Sequence, residues 1–301
     1  MKKASSIVVF LVLTITKLYS QGCSDAGICS IANSHHIDST ELKKNSLEVG
    51  YIFGKGLEDV IYNNSFIGYT RDFKKNWGLS ARITYNQATG SFGTLGRQGD
   101  IFFVMNYKKE FHKNSFIKPS FGLKIPLSAS NFKINQIALP LDYQASLGTF
   151  DALIGIDYSY KKWSVDAALQ LPFWQINRNS YFDEYSSSND FPTTNLFKRK
   201  SDFLIRSAYA LNTKNKKWFF KPNAMAIYHL GNDTYEDVFG KRQAINNSQG
   251  LTINASIITD YYISTQNSLR LNIASPLLVR EIRPDGLTRA LVASISYQLK
   301  F

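Results

Sequence analysis

Apolar and polar residues alternate along much of this chain, most regularly at its end. Leu287, Leu291, Ala293, Ile295, Tyr297, Leu299 and Phe301 fall on one face of an extended segment, and Thr288, Ala290, Ser294, Ser296, Gln298 and Lys300 fall on the other. Arg289 and Val292 break the pattern. A period of two is that of a β-strand. A soluble sandwich would turn the two faces to core and water, and a membrane barrel would turn them to lipid and lumen. Read from residue 46 onward, the same signal predicts twelve strands, at 46–54, 65–73, 77–86, 100–107, 115–126, 149–160, 163–174, 201–211, 218–230, 248–261, 268–279 and 287–301. Alternation is cleanest at Trp163, Val165, Ala167, Leu169, Leu171 and Phe173, and poorest where Ile101, Phe102, Phe103 and Val104 run together.

The connections between these segments fall into two alternating classes. Short turns at 74–76, 108–114, 161–162, 212–217 and 262–267 are separated by mostly longer polar stretches at 55–64, 87–99, 127–148, 175–200, 231–247 and 280–286. Outer-membrane barrels have short periplasmic turns and long outer loops, and an even strand number leaves both chain ends on the periplasmic side. The expected fold is therefore all-β, an antiparallel transmembrane β-barrel of about 12 strands.

Residues 1–20 have a basic start at Lys2 and Lys3 and an apolar run from Ile7 to Ile15. This is the layout of a signal peptide cleaved after Ser20, and the run is too short for a spanning helix of about 20 residues. The expected division is signal 1–20, a periplasmic or plug segment 21–45 and the barrel 46–301. In the second of these, Cys23 and Cys29 read most simply as a disulfide formed in the oxidising periplasm. His35 and His36 follow, but this spacing matches no common zinc pattern, so no metal or other cofactor is expected.

The formal charge is +12, which in a cytosolic protein would point to nucleic acid. Here the lysines gather in the short turns, bordered by Phe73 and Trp77, Tyr107 and Phe111, Tyr160 and Trp163, and Trp218 and Phe219. That layout suits lipid phosphates, so the expected surroundings are outer-membrane lipid and lipopolysaccharide, with no nucleic acid. Placing the apolar set outward directs Glu48, Arg82, Lys118, Lys124, Asp157, Asp166, Arg206, Lys221, Asn223, Asn254, Arg270 and Asn272 into the lumen. Six cations against three anions would favour anions, but Asp151, Asp202 and Asp260 share the parity and bring the two signs level. An open pore and an interior ladder of ion pairs both satisfy the pattern.

A terminal Phe301 preceded by apolar residues at every second position resembles the C-terminal signal read by the barrel-assembly machinery. Together with the signal, the run Gln21-Gly22-Cys23-Ser24-Asp25-Ala26-Gly27-Ile28-Cys29 and the strand-turn rhythm, it resembles outer-membrane barrels of the Bacteroidota type. The chain is similar to the transporter-like barrels grouped with the phenol meta-pathway proteins and, more distantly, to the long-chain fatty-acid transporters. The resemblance implies passive uptake of small molecules, and it carries no binding residue across. A surface, structural or adhesion barrel is the alternative. An outer-membrane lipid-modifying enzyme would need an acid-base pair, and His229 with Asp233 is the only one near a plausible outer rim.

Overall fold

Twelve strands, each hydrogen-bonded to two neighbours, form one closed antiparallel cylinder. The computed structural model describes residues 44–73, 76–186, 190–286 and 289–301. The signal peptide, nearly all of the 21–45 segment, Cys23, Cys29, His35 and His36 lie outside the described residues. The barrel strands are β1 (Asn45–Gly56), β2 (Ile61–Asp72), β3 (Trp77–Gly90), β4 (Gly93–Tyr107), β5 (Ser115–Pro126), β6 (Thr149–Tyr160), β7 (Trp163–Gln175), β8 (Asp202–Tyr209), β9 (Trp218–His229), β10 (Gly250–Tyr262), β11 (Asn267–Leu278) and β12 (Arg289–Lys300). Closure is made by β1 against β12, with Glu48 opposite Gln298, and every strand pairs antiparallel with its neighbour in sequence. The cylinder leaves no unpaired edge, which is what lets a sheet stand in hydrocarbon.

The outside is the surface of a membrane protein. Leu47, Val49, Tyr51 and Phe53 of β1 are exposed while Ser46, Gly50, Ile52 and Gly54 are buried, and the alternation continues around the wall. At the turn end, three tryptophans each pair with a cross-strand tyrosine: Trp77 with Tyr107, Trp163 with Tyr209 and Trp218 with Tyr261, at ring-centroid distances of 4.9, 4.8 and 4.7 Å. Cations lie over neighbouring rings, Lys161 at 5.0 Å from Tyr160 and Lys109 at 5.2 Å from Phe111. This is an aromatic and cationic belt of the kind that sits at a headgroup boundary.

Two expected outer loops are corrected. The 87–99 stretch is not a loop, because β3 and β4 run on to Gly90 and Gly93 and join through a two-residue turn. Most of 55–64 is likewise strand, with only residues 57–60 between β1 and β2. Above the bilayer a strand has no lipid face to satisfy, so Gln87, Thr89, Thr94 and Arg97 extend the ladder without an apolar alternation. The long outer connections are 127–148, 176–201, 230–249 and 279–288.

Those loops pack on the outer mouth. Leu139 and Tyr143 from the first and Tyr181 and Phe191 from the second cover Val60, Tyr62 and Ala88 at the strand tops. A second cluster joins Leu141, Phe197 and Ile245, with Ile282 against it, so all four loops meet in one cap. The interior also holds apolar groups. Val292, which breaks the alternation of β12, faces inward and packs with Ile52, Phe66 and Ala274. Phe102 and Val104 pack inside on Leu153, which accounts for the blurred pattern of β4.

Candidate functional site

The candidate site is the polar lumen beneath the cap. Alternation along the strands turns Glu48, Arg82 and Arg270 inward near the turn end of one wall. There the Ser296 hydroxyl donates to Glu48 at 2.7 Å, Arg82 reaches Glu48 at 3.4 Å and its guanidinium lies 4.2 Å from the Phe66 ring centroid. Arg270 holds Asp260 with two parallel bonds of 2.6 and 3.0 Å, a bidentate pair. Water reaches this wall: the Glu48, Arg82 and Arg270 side chains are 17%, 26% and 25% exposed.

The facing wall carries a lateral row across β5 to β8, in which Lys118, Asp157, Asp166 and Arg206 stand in successive register. Arg206 donates to Asp166 at 2.8 Å, and Lys221 on β9 lies within electrostatic range of Asp157, Asp166 and Arg206. Asn223 accepts from the Ser256 hydroxyl at 2.8 Å, Asn254 is buried, and Asn272 lies half-buried on β11. Charges of both signs thus share each wall, and the net fixed charge of the lumen is set by local clusters, not by a single-sign lining.

Nearer the outer end the packing tightens. Lys124 sits 2.9 Å from Asp151, 3.8 Å from Asp100 and 2.7 Å from the Thr149 hydroxyl, with its own side chain 2% exposed and that of Asp151 fully buried. The Gln170 amide donates to Asp151 from the neighbouring strand. Above this layer, between the strand tops and the 127–148 loop, lies a cavity of about 50 Å³ lined by Asn86, Asp100, Lys124, Asp142, Tyr143 and Asp285, among others. About 10 to 15 Å³ of such space holds one water, so the cavity has room for more than one.

The cap itself is fastened by charge. Arg199 bridges Asp202 at 2.5 Å and Asp285 at 3.3 Å, while Arg280 holds Asp285 at 2.6 Å and the Ser248 carbonyl at 2.8 Å. His229, at the top of β9, lies 2.6 Å from Asp202 through Nδ1 and 2.8 Å from Asp233 through Nε2. Both ring nitrogens are taken by carboxylates, which leaves neither to activate a hydroxyl. Asp233 also accepts from the Lys200 backbone N–H at 2.7 Å, so it ties the 176–201 and 230–249 loops to the top of β9. The two arginine bonds hold the Asp285 carboxyl well below the usual range despite its burial. Asp142, in the buried turn Leu141–Tyr143 on the returning arm of the 127–148 loop, goes the other way: burial, with the like charge of Asp285 beside it, pushes its carboxyl up to about 7.

Arg199, Arg280 and Asp285 carry no sequence signal, because they lie in loops where no periodicity assigns a face. Asp151, Asp202 and Asp260 share the inward parity of their strands and are buried.

Closed barrels of antiparallel strands, even in number and apolar outside, are outer-membrane structures, and this chain is placed in the bacterial outer membrane on that ground. No protein-family model and no curated protein matches the sequence. Among solved structures, the chain is similar to the KdgM porin, at 10% identity and a TM-score of 0.45 over 85% of this chain and 99% of that one. It is similar to the NanC porin at 8% identity and a TM-score of 0.47, covering 85% and 98%. The translocator domain of the autotransporter NalP from Neisseria meningitidis aligns at 8% identity and a TM-score of 0.49, covering 99% and 98%.

Proposed function

We propose that this protein is an outer-membrane channel or facilitator for the passive uptake of small polar solutes, closed at its outer mouth by its own loops. The supporting observation is the combination of a closed cylinder, greasy outside, with ion-paired walls on which the Glu48, Arg82 and Arg270 side chains keep 17%, 26% and 25% of their surface exposed. A barrel serving only as a rigid support for surface loops gains nothing from charge buried along its lumen, since replacing buried ion pairs with apolar residues is often neutral or stabilising. Lumen residues of a pore, in contrast, set which solutes pass by size and charge. The loop cap would then part for conduction.

The test is conductance of the purified full-length protein in planar bilayers, with liposome swelling in neutral, anionic and apolar solutes. Discrete openings, made more frequent when the cap is weakened, are the expected result. A silent barrel that also fails to swell liposomes, with and without an intact cap, would overturn the reading and favour the surface or adhesion role.

A further inference from the structure

His229 is buried at the top of β9 with a carboxylate against each ring nitrogen, Asp202 at 2.6 Å from Nδ1 and Asp233 at 2.8 Å from Nε2. Carboxylates only accept hydrogen bonds, so both nitrogens must donate, and a neutral imidazole has a single N–H. The arrangement therefore holds one proton more than a neutral ring between two carboxylates. That proton sits on the imidazole, the stronger base by about 2 to 3 pH units. Asp233 requires it there. Its side chain is fully buried, its Oδ2 has no hydrogen-bond partner, and His229 is its sole ion-pair partner among the described residues. A buried carboxylate without a cation is costly. The other charges around the ring answer one another. Asp202 also bonds Arg199 of the 176–201 loop, and Asp285 is held by Arg199 and Arg280. Arg280 and Asp285, both of the 279–288 loop, act on His229 at longer range with opposite sign, and Arg283 of that loop acts on Asp285, Arg280 and Asp142. From β10, Gly250 stands opposite His229 without a charge.

The two carboxylates belong to different elements. Asp202 begins β8 on the rim and Asp233 lies in the 230–249 loop, so the imidazolium between them holds that loop onto the barrel. We propose that His229 is a proton-operated latch of the outer mouth: its imidazolium keeps the 230–249 loop docked, and loss of the proton to an alkaline medium releases it. The sign follows from proton linkage. In the released loop the ring returns to its ordinary value of about 6.5. Below that pH the docked and released states both hold the proton, and the latch has its full strength. Above it the released state has lost a proton that the docked state keeps, so docking weakens as pH rises until the docked ring itself titrates. Asp142, whose carboxyl is pushed up to about 7, works in the same direction at lower pH and on a different loop, 127–148. The part of the latch in solute passage rests on the channel reading, but the docking of the loop does not.

The experiment uses the full-length protein labelled with nitrogen-15 in detergent micelles, with the His229 ring signals assigned by their loss in His229→Gln. Both ring nitrogens should be protonated at about pH 7.5, above the ordinary midpoint, and a neutral ring there overturns the latch. On intact cells, trypsin cleavage at Lys241 or Arg242, which are exposed but sit at a paired hairpin while the loop is docked, reads release. It should quicken by up to about tenfold per pH unit from about pH 6.5 upward. In His229→Gln, cleavage should be fast throughout and independent of pH once the protease's own profile is divided out. An equal slope in the two proteins, or none in either, overturns the proposal. Should His229→Gln fail to fold, Asp233→Asn decides. Its amide oxygen still accepts the Lys200 N–H, and loss of the carboxylate should lower the His229 midpoint by about 1 to 3 pH units. An unmoved midpoint overturns the latch. A barrel silent in bilayers removes the channel reading alone, since labelling and cleavage read the latch without conduction. In a conducting barrel, openings that do not grow more frequent over the same pH range overturn the latch as a gate.

Discussion

The Lys124 ammonium lies 2.9 Å from Asp151 in a position where neither side chain is more than 2% exposed. A buried ion pair adds little net stability, but breaking one from a single side leaves an uncompensated charge at a cost of about 3 to 5 kcal/mol. Lys124→Met should therefore destabilise the barrel by that order in urea unfolding from detergent micelles. The double variant Lys124→Met/Asp151→Leu should recover most of the loss. Equal destabilisation in the single and double variants would show that the pair is not the relevant coupling.

Gly286 holds the Leu141–Tyr143 turn of the 127–148 loop through close approach and backbone shape. Its φ is +65°, and a Cβ there would lie 2.7 Å from the Leu141 carbonyl oxygen and 2.9 Å from the Asp142 nitrogen. Gly286→Ala combines this clash with a left-handed backbone cost, of order about 1 to 3 kcal/mol. We expect the barrel to remain folded and the cap to loosen. Protease cleavage within residues 127–148, applied from the outside of intact cells, should become faster.

Asp142 gives the cap a pH dependence whose sign is fixed by its environment. Burial is the main cause that pushes its carboxyl to about 7, aided by Asp285 and opposed by the Tyr62 hydroxyl at 3.2 Å and by Arg283. Once the loop undocks, the carboxyl returns to its ordinary value of about 4. Between about pH 4 and pH 7 the docked state holds a proton that the undocked state has lost, so docking weakens as pH rises through that window and levels off above it. Loop proteolysis or channel opening should be greater at pH 8 than at pH 5. Asp142→Asn should flatten the dependence and keep the loop docked.

Ile67 sits at the middle of β2, 52% exposed and paired with Ile83 across the wall. Lysine on the lipid face at mid-bilayer costs about 2 to 4 kcal/mol, falling toward the interfaces. Ile67→Lys should lower stability by that amount in lipid vesicles. In a soluble β-protein the same exposed site would tolerate lysine, so a neutral result would remove the membrane assignment.

Phe301 closes the cylinder by exchanging two backbone bonds with Asn45, of 3.1 and 2.9 Å. Its ring is exposed on the outer surface. Deleting it should slow assembly in cells, read as accumulation of the unfolded, heat-unmodifiable form, with little change in the conductance of the fraction that folds. Unaltered assembly kinetics would remove the proposed role of this residue in recognition by the barrel-assembly machinery.

The wall of this protein is written locally. A strand in a barrel must show one face to lipid and one to the lumen whatever its neighbours are, so Trp163 to Phe173 declares its orientation residue by residue, and twelve such segments fix the cylinder. The inward parity of Arg206 and Asp166 is legible in the same way, but their 2.8 Å contact is not, because register between β7 and β8 comes from pairing across a long loop. Parity placed Val292 correctly on the inner face, where its apolar side chain hid that placement because the lumen is locally apolar, and the pattern was silent above the bilayer, where the β3–β4 hairpin has no lipid face to announce it. The cap lies further still from sequence reasoning. Val60 meets Tyr143 and Phe191, and Arg199 meets Asp285, only because four loops of unrelated sequence converge on one rim. Burial of a loop residue depends on what covers it, which is a property of the closed tertiary structure, whereas a strand carries its own pattern of inside and outside along the chain.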